Sequence, residues 1–206
     1  ASGDVTAGAD FAAWRNPRAP TEIADHRLGA TRACVTRTGT VDARAVVATL
    51  RDHGNGPWGA PGTTGGVSPA PTDVYDDFSG VTVCMHVRDY QATTASMVAE
   101  LRDDGRQRMW AALGSPCASV YVPGFPPDIS SALGSTSEWE RFAALARRIE
   151  RDPGTLAGVR SVLGPVEAEL WEEADTLWLA GDGGRARAFA ERAYEPVDAA
   201  LRALGV

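Results

Sequence analysis

Between residues 80 and 126 the sequence GVTVCMHVRDYQATTASMVAELRDDGRQRMWAALGSPCASVYVPGFP keeps returning to two-residue alternation and is cut by turn-forming residues. Side chains of a strand alternate between its faces, so this pattern predicts antiparallel strands in chain order. Val81, Val83 and Met85 would face one way, and Thr82, Cys84 and His86 the other. Residues 93–101 and 108–113 read as the next strands, joined by a tight Asp-Gly turn in 102–107. Gly114-Ser115-Pro116 turns the chain before a last strand over 118–122. These strands carry little charge on either face, and a sheet apolar on both faces is ordinarily covered twice.

The flanks predict helices and one long loop. Residues 1–20 form an extended arm anchored by Phe11 and Trp14, and residues 21–53 hold two helices. Asp42 suits the start of the second, with Val46, Val47 and Leu50 as its buried stripe. Residues 54–72 contain six of the chain's 22 glycines and four prolines, which excludes a regular element. The segment exceeds the roughly 12–15 residues usual for a structureless connection, and Trp58 within it is expected to dock against a groove. No phosphate-binding glycine motif occurs there. Residues 137–206 read as helical packing: Ser137 caps the first helix with Glu140 in the capping box, Asp152-Pro153-Gly154 breaks it, and Pro165 starts a fresh one. The last helix, 186–204, is expected to kink before Pro196. The fold class is α+β, in a single domain or subunit of 206 residues.

A formal net charge of −7 disfavours nucleic acid and anionic membrane as partners. No apolar run approaches the roughly 20 residues that cross a bilayer, and a cytoplasmic location is the expectation. Three cysteines are too few for a disulfide scaffold, and Cys84 and Cys117 are expected as two buried thiols rather than a bridge.

Few side chains here suggest chemistry. Cys84 and His86 share a face of the predicted strand, but same-face neighbours on an extended strand stand about 6–7 Å apart, too far for thiol activation. A zinc held by Cys84, His86, His53 and either Cys34 or Cys117 lacks the paired CxxC or HExxH spacing of zinc sites. No metal and no cofactor is therefore expected. His53, at the end of a helix, would either satisfy the last carbonyls or stand at the rim of a cleft over the sheet. Thr94 and Ser96 point the same way from their strand, and Arg88 sits in a hairpin turn.

Four ordered segments, LRDHG at 50–54, TVCMH at 82–86, TTASMVAEL at 93–101 and GSPCASVYVPGF at 114–125, together with Trp110, resemble the C-terminal half of the secernin-like and dipeptidase-like peptidases. More distantly they are similar to the acyl-coenzyme A:6-aminopenicillanic acid acyltransferases. The resemblance spans roughly residues 25–150 and implies the C-terminal part of an N-terminal-nucleophile (Ntn) hydrolase, a four-layer αββα sandwich. In that family an N-terminal cysteine attacks an amide, with its own α-amine as base. The resemblance makes His86, His53 and Cys84 supporting residues of the site, and Trp58, Thr94, Ser96 and Arg88 candidates for binding substrate. Met85 stands where the acyltransferase branch holds an arginine.

No such nucleophile begins this sequence, since Ala1 has no reactive side chain. The expectation is therefore a non-nucleophile subunit of a cysteine hydrolase that cleaves a small amide or peptide substrate. A second polypeptide would carry the N-terminal cysteine. An inactive binding or assembly module and an acyltransferase subunit are the alternatives.

Overall fold

The computed structural model describes residues 21–38, 41–53, 81–87 and 91–206. The arm, the glycine-rich loop with Trp58, and Arg88 lie outside the described residues, as does the side chain of Cys34. Two helices come first, α1 (Thr21–Thr38) and α2 (Ala43–Leu50). Asp42 caps α2 by accepting from the Ala45 N–H at 2.7 Å, and Val47 is buried.

The expected first strand is reduced to a hairpin of β1 (His86–Val87) and β2 (Gln91–Ala92). Residues 81–85 are bent instead of extended. Val81, Val83, Cys84 and Met85 are all buried, so no open face exists for alternation to mark. Thr82 Oγ1 donates to its own chain at Cys84 O (2.7 Å), a local bond that competes with a strand ladder. Other backbone groups find partners across the fold: Cys84 N–H donates to Asp52 O, Met85 N–H to Thr93 Oγ1, and Thr93 N–H to Met85 O. Arg27 of α1 donates to the carbonyls of Thr82 and Val83.

The main sheet is antiparallel, in the order β3 (Ala95–Leu101), β4 (Gln107–Leu113), β5 (Val122–Gly124). Gly105, at φ +80°, closes the Asp-Gly turn between β3 and β4. The strand expected over 118–122 begins only at Val122. Pro116 instead takes Cys117 and Ala118 into a 3₁₀ turn, closed by Ala118 N–H to Ser115 O at 2.9 Å. Among the described residues β5 is an edge strand, where Pro123 is tolerated.

Four helices follow: α3 (Thr136–Arg151), α4 (Leu156–Ala180), α5 (Gly183–Arg192) and α6 (Glu195–Ala203). Ser135, two residues before the expected cap, accepts from Glu138 N–H and starts α3. Pro165 lies inside α4 and does not open a new helix. The last helical stretch breaks before Tyr194, so that Pro196 falls in the first turn of α6, where a missing N–H costs nothing. One core joins Phe142, Leu145 and Ile149 of α3 to Leu163, Leu170 and Leu177 of α4 and to Phe189, Val197 and Leu201. Each such side chain contributes about 1.5–3 kcal/mol by leaving water. A second cluster packs Val98, Trp110 and Ala112 of the sheet against Val47 and Trp171, with Trp110 and Trp171 stacked at 5.0 Å. Among the described residues no helix is long and apolar enough to cross a membrane.

Candidate functional site

Three stretches that are distant in sequence meet where the bent segment passes between α2 and the 3₁₀ turn. His53 comes from just after α2, Cys84 and His86 from the bend and β1, and Cys117 from the turn held by Pro116. One donor atom from each of the four side chains falls in a group whose members all lie within 4.8 Å of one another. Cys84 Sγ and Cys117 Sγ are each 3.4 Å from His86 Nε2, and the two imidazole rings are 5.2 Å apart. Cys84, His86 and Cys117 are 0%, 1% and 3% exposed, and His53 is half-buried.

Here the structure corrects the strand-based distance. An extended chain would hold Cys84 and His86 apart, but the bend that Thr82 stabilises brings sulfur and imidazole into contact. The two cysteines are free thiols, as the sequence led us to expect.

Glu150, in the last turn of α3, holds the far side of His86, with Oε1 2.9 Å from Nδ1. That contact leaves Nε2 facing the two sulfurs and fixes which ring nitrogen serves the cluster. The electrostatics separate the two thiols. The hydrogen bond from Cys117, with His53 and His86 assisting against burial, holds the Cys84 thiol well below its ordinary range. The hydrogen bond to Cys84 and burial push Cys117 up. Burial pulls His86 down, but the Cys84 sulfur and the Glu150 carboxylate overcome it and leave the imidazole raised.

A set of polar ties fixes the stretches relative to one another. Arg51 donates from Nε to Pro116 O at 2.9 Å, from Nη2 to Ser119 O at 3.1 Å, and to both carboxylate oxygens of Glu167 at 2.7 and 2.5 Å. Glu167 also accepts from Tyr121 N–H at 2.8 Å. The residue two before His53 is thus bound to the residue before Cys117. Ser115 Oγ donates to Thr93 O, linking the same turn to β3's approach.

The other candidate residues divide. Thr94 lines a cleft of about 130 Å³ with Thr93, Ser115, Trp139, Arg147 and Glu150, so the carboxylate partner of His86 borders it while His86 itself does not. Ser96 does not share that cleft: its hydroxyl accepts from Tyr121 OH at 2.7 Å on the packed side of the sheet. A separate hollow, about 250 Å³ beside Arg106, Phe125, Asp128 and Trp178, shares no residue with the cluster. Glu150 and the Arg51–Glu167 pair were missed from sequence. The available signal for Glu150 was its place four residues after Ala146 and eight after Phe142, on the buried stripe of α3.

Chemically, two sulfurs, two imidazoles and a supporting carboxylate can pass a proton among themselves or hold a metal ion. Both sulfurs are shut away from solvent in this arrangement. Comparisons with family models, with curated proteins and with solved structures return no match for this chain.

Proposed function

We propose that this chain is the supporting half of a cysteine-dependent Ntn-type hydrolase that cleaves a small amide or peptide bond, with the attacking cysteine on a companion polypeptide segment. The observation that carries this reading is the outward face of β3. Val98 is buried, but Ala95, Met97, Ala99 and Leu101 on the opposite face are exposed, Met97 by 63% and Leu101 by 75%. β3 is also an edge of its sheet, with β4 on one side only among the described residues. Apolar side chains beside an open strand edge favour a further sheet over this face, as an αββα sandwich would supply.

Two other features support the reading. The four segments that carry the family resemblance pack on one another: Asp52 O receives Cys84 N–H, Met85 exchanges hydrogen bonds with Thr93, and Thr94 O receives Gly114 N–H. The thiols of Cys84 and Cys117 are closed off, which suits scaffolding and leaves attack to another cysteine.

The test is a native preparation in which every polypeptide is identified by intact mass and N-terminal residue, with turnover followed on a panel of short peptides and N-acyl amines. A companion beginning with cysteine, whose alkylation stops turnover, is the expected result. Turnover by the 206-residue chain alone, or an assembly in which β3 stays open to hydrogen exchange, would reject the proposal.

A further inference from the structure

We infer that His53, Cys84, His86 and Cys117 form a closed tetrahedral site for a single zinc ion. In a tetrahedral centre with zinc–sulfur bonds near 2.3 Å and zinc–nitrogen bonds near 2.0–2.1 Å, sulfur and nitrogen stand about 3.5 Å apart. Both cysteine sulfurs lie 3.4 Å from His86 Nε2, and the four donors share a sphere with no separation above 4.8 Å. Two sulfurs with two imidazole nitrogens are a donor set typical of zinc, whereas magnesium, calcium and manganese prefer oxygen.

Charge points the same way. Two thiolates and two neutral imidazoles around a divalent cation sum to zero, which suits a pocket where three of the four side chains are almost fully buried. The arrangement around the ligands is that of a metal site as well. Glu150 Oε1 on His86 Nδ1 orients the ring so that its lone pair at Nε2 meets the ion. Cys84 N–H on Asp52 O and Arg51 on Pro116 O hold the backbone beside three of the ligands.

All four coordination positions are taken by protein, which makes the site structural rather than catalytic. Its work is to fasten residues 81–86, all buried but Thr82 and with little ladder of their own, to the end of α2 and to the 3₁₀ turn. Binding releases the cysteine protons and forms two zinc–sulfur and two zinc–nitrogen bonds, with no redox change. The site does not depend on the hydrolase reading, since a metal staple would serve this fold with or without a companion chain.

The full chain, purified reduced and with zinc supplied, is expected to keep one zinc per molecule through dialysis. After exchange with cobalt(II), it should show the intense visible bands of tetrahedral cobalt and a near-ultraviolet thiolate charge-transfer band. Cys84→Ser and Cys117→Ser should each remove part of that charge-transfer intensity, and Cys34→Ser should leave it unchanged. Glu150→Gln keeps every ligand and should weaken zinc binding about 10- to 100-fold against a competing chelator. If the cysteine variants fail to fold, the cobalt spectrum of the unaltered chain still decides. Weak octahedral bands, or failure to compete with a chelator, would overturn the assignment.

Discussion

Replacing Arg51 by methionine should be among the most damaging single changes outside the two hydrophobic cores. The guanidinium makes two bonds to Glu167 and donates to the carbonyls of Pro116 and Ser119, and its side chain is only 18% exposed, against 13% for Glu167. Methionine keeps the length and most of the packing on Tyr121, whose ring lies 4.9 Å from the guanidinium carbon. It leaves the Glu167 carboxylate with Tyr121 N–H and a distant Arg160 at 3.6 Å. Breaking one side of a buried ion pair costs about 3–5 kcal/mol, and the partners left to Glu167 place this case near 3 kcal/mol. For a chain of this size that corresponds to a fall in Tm of about 6–12 °C. Urea unfolding of Arg51→Met, Glu167→Met and the double variant measures it. The double variant should recover much of the loss, with a coupling of about 1.5–3 kcal/mol. A single-variant loss below about 1 kcal/mol, or strict additivity, would refute the claim that this pair locks α2 to the turn of Cys117.

Three further outcomes follow from single residues. Gly114 has φ +73°, and an added Cβ would lie 2.8 Å from Phe142 Cβ, so Gly114→Ala should cost about 2 kcal/mol or more in a denaturant titration, from backbone strain plus overpacking. Ser135→Ala should cost about 1 kcal/mol through loss of the α3 cap, with Ser137→Ala costing less; the reverse order would return the cap to Ser137. Burial, against the Ser96 and Arg51 contacts, pushes the Tyr121 phenol up to about 12. The unfolded chain therefore ionises first near pH 10, and the stability from keeping this phenol neutral is complete below that pH. It is lost as pH rises from about 10 through 12. Unfolding curves should show that decline in the native protein and a shallower one in Tyr121→Phe; equal slopes would contradict it.

The parts of the fold that local chemistry decides were legible in the sequence. Asp-Gly at 104–105 announced the β3–β4 hairpin, Asp42 announced α2, and the stripe of Phe142, Leu145 and Ile149 announced α3. Where tertiary contacts outvote periodicity, the sequence misled. Residues 81–85 alternate like a strand, but all except the half-buried Thr82 are buried and their hydrogen bonds go to Asp52, Thr93 and their own turn. Pro165 looked like a helix start because proline suits that place, yet α4 runs through it. The site was visible only as a set of residue types. His53, Cys84, His86 and Cys117 could be named, but their spacing matches no ligand motif because the chain brings them together through a bend, a helix end and a 3₁₀ turn. An extended-strand distance argued against the Cys84–His86 contact, and nothing in the spacing tied Glu150 to His86.

Zinc-edge X-ray absorption on the dialysed, reduced protein tests the metal staple most directly. It should give four ligands per zinc: two sulfurs at about 2.3 Å and two imidazole nitrogens at about 2.0–2.1 Å. A protein that holds no zinc, or holds it in an oxygen-rich shell without sulfur, would contradict the account.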